Sequence, residues 1–143
     1  MTDKRTLTIG LVGYKFMGKA HSNAWRQAPR FFDLPTHLRL KAICGRDAKA
    51  VRQAATTFGW ETAVTNWRAV VDDPEIDICT PNDSHAEIAI AAAKAGKAIL
   101  CEKPLARNVA LRPVLVALGY VGVFMSDDRT SPLVKNGNIR IFC

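Results

Sequence analysis

Short apolar runs alternate with stretches of helical period between residues 7 and 101, and this alternation constrains the fold more than any other feature of the chain. Leu7–Val12 is a short, mostly apolar run that reads as a buried parallel strand, and Leu38–Cys44, Ile76–Thr80 and Ala98–Cys101 read as further strands. Between them lie helices with recognisable ends. The first runs from about Met17 to Gln27 and is expected to stop at Pro29, leaving Arg30–His37 as a loop. Asp47 offers an N-cap to a helix whose apolar stripe is Val51, Ala54, Ala55 and Phe58, and Gly59 follows as its C-cap. A weaker strand and a short helix fit Glu61–Val71, and Pro74 marks a turn. Ser84 and Glu87 form a capping box for a helix with Ala86, Ala89, Ile90 and Ala93 on one face, closed by Gly96. Strands that alternate with helices of this length require a parallel sheet with right-handed crossovers, a doubly wound α/β fold.

At 143 residues and 48% hydrophobic, the chain has material for one domain and its core, not two. No apolar run approaches the ~20 residues of a membrane span, and the N-terminus lacks a signal-peptide pattern, so a cytoplasmic protein without membrane contact is expected. The net charge of +7 is unevenly spread. Residues 1–52 hold eleven Lys/Arg against three Asp/Glu, whereas residues 53–106 hold four against eight. The basic residues are scattered, with no interleaved aromatic stacking motif, which argues for solvated faces and against a nucleic-acid surface. Cys44, Cys79, Cys101 and Cys143 form no C-x-x-C pair, so neither a zinc site nor a redox motif is expected.

The first strand-to-helix turn carries Gly13-Tyr14-Lys15-Phe16-Met17-Gly18. A dinucleotide fingerprint has the form G-x-G-x-x-G, in which the first glycine makes the turn and the third lets helix and strand pack. The middle one admits the pyrophosphate, which rests on the helix N-terminus. Here Lys15 stands at the middle position. It either obstructs that approach or replaces the lost contact by presenting its ammonium to a phosphate, the reading favoured here. His21, near the helix start, is as consistent with packing as with cofactor contact, and Phe16 and Trp25 suit core or lid positions. After the second strand, where an acidic residue commonly takes the 2′-hydroxyl of NAD, the chain has Gly45-Arg46-Asp47. Gly45 leaves room and Arg46 suits a 2′-phosphate, which favours NADP; alternatively Asp47 takes the ribose of NAD.

The run Asp77-Ile-Cys-Thr80-Pro81-Asn82-Asp-Ser-His85, followed by Ala95-Gly96-Lys97-Ala-Ile-Leu-Cys-Glu102-Lys103-Pro104-Leu-Ala106, completes a pattern with residues 13–25. Together these resemble the glucose–fructose oxidoreductase/inositol dehydrogenase (Gfo/Idh/MocA) family over residues 7 to about 108. The resemblance implies an N-terminal Rossmann NAD(P)-binding domain and a second, substrate-binding α/β domain, acting together on an alcohol or carbonyl of a sugar or polyol. It implies that Lys103 lies near the nicotinamide as the catalytic group, aimed by a cis peptide before Pro104, and that Glu102 approaches the nicotinamide ribose. Thr80, Pro81 and Asn82 then line the cleft, with His85 as a contact of the cleft or helix start rather than the general base.

The pattern fades after Asn108. Pro113 falls where a helix interior is expected, Val121–Met125 suits a sixth strand, and residues 126–143 show no period. A Rossmann domain over 1–125 with an irregular tail over 126–143 is therefore expected, with the substrate domain absent. A truncated or frameshifted gene is favoured over a divergent stand-alone domain, because acidic residues vanish between 103 and 126. The resulting expectation is a cofactor-binding part of a sugar or polyol oxidoreductase with little activity alone. A non-catalytic nucleotide-binding or interaction module is the alternative. Substrate and oligomeric state stay open.

Overall fold

The structure, a computed structural model, describes residues 4–81, 86–100 and 141–142. Among these residues six strands form one parallel sheet in the order β3-β2-β1-β4-β5-β6. The strands are β1 (Thr6–Val12), β2 (His37–Cys44), β3 (Thr62–Val64), β4 (Ile78–Pro81), β5 (Ala98–Leu100) and β6 (Ile141–Phe142); the helices are α1 (Phe16–Phe31), α2 (Ala48–Phe58), α3 (Arg68–Val71) and α4 (Ala86–Lys94). The strand order reverses between β1 and β4, so the crevice at the carboxyl ends of those two strands is the switch point where this architecture binds ligands.

Alternation along the strands divides the core between the two faces of the sheet. Ile9, Leu11 and Ile43 pack with Val51, Ala54 and Ala55 of α2 and with Trp60, joined at the margin by Trp25 of α1. Val12, Ala42, Cys44, Cys79 and Ile99 pack with Val70 and Val71 of α3 and with Ile88, Ala89, Ala92 and Ala93 of α4. Complete burial of a side chain such as Ile9 or Ile43 contributes roughly 1.5–3 kcal/mol. Both helical layers are needed, because neither face of such a sheet tolerates water.

Local signals account for most element ends. The Asp47 carboxylate accepts from the N–H groups of Lys49 and Ala50 at 2.9 and 3.0 Å and so caps α2. Gly59 at φ 74° and Gly96 at φ 73° stand where α2 and α4 end. Two boundaries and one helix face differ from expectation. Helix α1 does not stop before Pro29 but continues through it to Phe31. Proline forfeits only one N–H bond near a helix end, where few later turns depend on it. Strand β4 begins at Ile78 rather than Ile76, because Asp77 spends its carboxylate on the Thr8 N–H (2.8 Å). The buried stripe of α4 is centred on Ile88, Ala89, Ala92 and Ala93, which leaves Ile90 at its margin.

Ile141–Phe142 pairs with β5 inside the segment anticipated as irregular. The sixth strand expected at Val121–Met125 lies outside the described residues, as do the segment around Pro113 and Ser84 of the capping box. No described helix is long and apolar enough to cross a membrane.

The uneven charge of the sequence resolves into pairing between its halves. Between Ile9 and Gly10 the β1–β2 register shifts, so Lys41 is an extra residue of β2. Its ammonium reaches Asp73 at 2.8 Å and Glu75 at 2.9 Å. Arg39 holds Glu61 through two hydrogen bonds of 2.8 Å and Glu75 through one of 2.7 Å. These contacts draw the carboxyls of Glu61, Asp73 and Glu75 below their ordinary range: the Arg39 hydrogen bonds act on Glu61, the Lys41 bond on Asp73, and both cations on Glu75. Lys97 is buried after α4 and donates to the carbonyls of Asp73 (2.6 Å) and Ile76 (2.8 Å). Burial lowers its ammonium below the usual lysine range.

Candidate cofactor site

The carboxyl ends of β1, β2 and β3 are laced together at the switch-point edge. The Gly13 N–H donates to the Cys44 carbonyl at 2.8 Å, and the Gly45 N–H donates to the Val64 carbonyl at 3.0 Å. Gly13 has φ 108°, a conformation that an L side chain resists, so the first glycine of the turn is required by the backbone itself. Lys15 is different. As the N-cap of α1 it has φ −74°, open to any residue, so the missing middle glycine imposes no backbone strain. Gly18 is buried, as close packing of helix and sheet demands.

The N-terminus of α1 is built to receive negative charge. Lys15 makes no side-chain cap bond, the first turn contains no acidic residue, and Lys19 is the first residue to donate back along the helix, to the Lys15 carbonyl at 2.9 Å. The N–H groups of Phe16, Met17 and Gly18 precede that bond and have no intrahelical partner. They carry the positive end of the helix dipole toward the crevice, with the exposed Lys15 side chain beside them. Phe16 is 81% exposed, which excludes the core position anticipated as one of its options, while Trp25 does pack at the edge of the core.

Across the switch point, Thr80 and Pro81 end β4 in register with Leu11 and Val12. Thr80 is fully buried, and its Oγ1 has no hydrogen-bond partner among the described residues. A buried hydroxyl of this kind is commonly satisfied by a bound polar group or ordered water. At the end of β2 the ring of Tyr14 lies over Gly45, so the room expected at this glycine is filled by that ring. Arg46 is exposed, and Asp47 serves as the α2 cap already described. Burial pushes the neighbouring Cys44 thiol up to about 11, so it is an inert core group rather than a nucleophile.

The structure thus brings Gly13, Tyr14, Lys15, Phe16, Met17, Gly18, Gly45, Arg46, Asp47, Thr80 and Pro81 to one edge of the sheet. Asn82, His85, Glu102, Lys103 and Pro104 lie outside the described residues. Sequence reasoning missed the Tyr14–Gly45 contact and the buried hydrogen bond from Trp60 Nε1 to Ser22 Oγ (3.0 Å), which ties α1 to the start of β3. Neither has a local signal, since both join residues more than thirty positions apart.

Comparison with known proteins bears on this edge directly. The sequence model of an oxidoreductase family with an NAD-binding Rossmann fold, Gfo/Idh/MocA, matches residues 7–117. Levoglucosan dehydrogenase of Pseudarthrobacter phenanthrenivorans is 50% identical over 108 residues, 73% of this chain and 28% of that protein. Inositol 2-dehydrogenase/D-chiro-inositol 3-dehydrogenase of Lactiplantibacillus plantarum is 33% identical over 113 residues, 74% of this chain and 30% of that protein. Among solved structures, levoglucosan dehydrogenase in complex with NADH superposes with a TM-score of 0.75 at 42% identity, covering 80% of this chain and 32% of the other. An oxidoreductase domain protein from Kribbella flavida gives the same TM-score at 55% identity, covering 80% and 31%. The chain spans about a third or less of the length of these relatives, and within that span it has their NAD-binding fold. With the fold, the glycine turn and the family match in agreement, the chain belongs to the Gfo/Idh/MocA oxidoreductase family.

Proposed function

We propose that the chain binds a nicotinamide dinucleotide across the β1–β4 switch point, as the cofactor-binding part of an oxidoreductase acting on sugars or polyols. One observation carries this reading: the Gly13 turn delivers an uncapped, acid-free α1 N-terminus to the crevice where the strand order reverses. The pyrophosphate would lie on the N–H groups of Phe16, Met17 and Gly18, with Lys15 supplying charge in place of the close backbone approach a glycine would permit. Thr80, Pro81 and Asn82 would line the nicotinamide side, where the buried Thr80 hydroxyl offers a polar contact.

When bound, the dinucleotide supplies a hydride acceptor or donor. Lys103 is assigned the catalytic part: its ammonium polarises the substrate oxygen or tunes the group that takes its proton. Glu102 is assigned to the nicotinamide ribose, and His85 to the start of the following helix. The sugar or polyol class rests on the names of the levoglucosan and inositol dehydrogenases to which the chain is similar. Since the chain matches under a third of their length, cofactor binding rather than turnover is the activity to measure on it alone.

Arg46 supports NADP as the tighter ligand, because Asp47 already commits Oδ1 to the α2 cap and Arg46 is exposed beside it. NAD is the second reading, favoured by the NADH complex of a 42% identical protein. Titration of the purified chain with NADPH and NADH, followed by nicotinamide fluorescence, tests both. Saturable binding is expected, and the tighter ligand settles the part played by Arg46. A chain folded by circular dichroism that binds neither refutes the cofactor reading and leaves a non-catalytic module.

A further inference from the structure

Gly45 is a glycine for want of space, not for conformational freedom. Its backbone is absent from the positive-φ glycines, Gly13, Gly59 and Gly96. Yet a Cβ at this position would fall 2.2 and 2.3 Å from the Cδ1 and Cε1 atoms of Tyr14, and 3.3 Å from Cβ of Val51. The ring is not loosely placed. It packs at the edge of the cluster containing Ile9, Leu11 and Val51, and the Gly13 N–H bond to Cys44 holds the preceding residue against the end of β2. Tyr14 therefore occupies the volume that a side chain at position 45 would need.

In this fold that position matters chemically. The residue at the carboxyl end of the second strand faces the adenosine ribose, where an acidic side chain holds the 2′,3′-diol and repels a 2′-phosphate. We propose that Tyr14 and Gly45 form a steric pair that sets dinucleotide preference: the ring bars an acidic residue from position 45 and leaves the 2′ position to Arg46. The pair removes the group that would reject a 2′-phosphate rather than adding one that selects it. This rests on the dinucleotide reading above, and it assigns specificity to a residue of the glycine turn that would otherwise be counted only as a phosphate contact.

The test uses the full chain and four proteins: wild type, Gly45→Asp, Tyr14→Ala, and the double variant. Each is followed by thermal unfolding and by NADH and NADPH titration. Gly45→Asp alone should lower Tm clearly, whereas the same substitution beside Tyr14→Ala should cost much less. In the Tyr14→Ala background, Gly45→Asp should also move the NADH-to-NADPH preference toward NADH by about tenfold or more. Additive Tm changes across the four proteins would overturn the steric pair. So would Gly45→Asp shifting preference equally with the ring present. If the folded wild type binds neither dinucleotide, the cofactor reading fails, while the Tm comparison still decides whether ring and side chain compete for one volume.

Discussion

The hydrogen bond from Trp60 to Ser22 offers a sharp test of how α1 is held to the sheet. Ser22 is completely buried and Trp60 is 5% exposed, so water cannot replace a lost partner. Ser22→Ala leaves the indole N–H unsatisfied, which costs about 1–3 kcal/mol. Alanine is the better helix former, by up to about 0.5 kcal/mol, and the orphaned donor outweighs that gain. A net loss of roughly 0.5–2.5 kcal/mol should appear as a fall in Tm of about 2–12 °C for a domain of this size. Trp60→Phe removes the same bond together with part of a ring, costing roughly 1–3 kcal/mol in packing beyond the orphaned hydroxyl. The double variant has neither orphan. Its cost should therefore fall short of the summed single costs by about 1–2 kcal/mol in a urea-denaturation cycle with unchanged m-values. A cycle that closes additively to within about 0.5 kcal/mol would refute the claim that this bond, rather than ring packing alone, fastens the helix.

Other expectations follow from the site and from the charge network. Lys15→Met should weaken dinucleotide binding roughly threefold to tenfold and flatten its salt dependence, since only an ammonium near phosphate is removed; tighter binding by the variant would mean that Lys15 obstructs the site. Gly13→Ala forces an alanine to φ 108° and should cost about 1–3 kcal/mol, with a parallel loss of affinity, measured by thermal unfolding and by titration. Glu61, Asp73 and Glu75 have folded-state pKa values below their ordinary ones, so the stability they contribute is fully present above the usual carboxylate range and is lost as pH falls through the lower folded values. Urea midpoints recorded from pH 6 downward in low salt should decline in that acid window, and by less when Arg39 is replaced by Met.

The parts of this fold that were legible in the sequence are those written in local chemistry. Asp47 and Gly59 mark the ends of α2, and Gly96 the end of α4, because caps act within a few residues of themselves. The apolar runs located β1, β2, β4 and β5 to within two residues, since the buried positions of a strand require apolar side chains. What escaped was set by partners far along the chain. Arg39 and Lys41 look like solvated basic residues until Glu61, Asp73 and Glu75 arrive beside them from the loops flanking β3 and α3. Lys97 reads as one letter of a motif, yet it is a buried strut between two carbonyls. At the site, the glycines and the helix start were visible, but the reason for Gly45 lay in a ring thirty-one positions earlier.

The strand order also sets a schedule for biosynthesis. β1 is made first yet sits at the centre of the sheet, with β2 on one side and β4 on the other. Its second neighbour is not synthesised until Ile78–Pro81. At about 5–20 residues per second, the roughly seventy intervening residues leave one edge of an apolar strand open for some 3–14 s. During that interval β1, β2 and β3 can assemble into a half-sheet whose most hydrophobic strand forms its exposed rim. The same reversal of strand order that creates the switch-point crevice in the finished protein leaves this seam of the nascent sheet open until β4 arrives, exposed to aggregation or to capture by a chaperone.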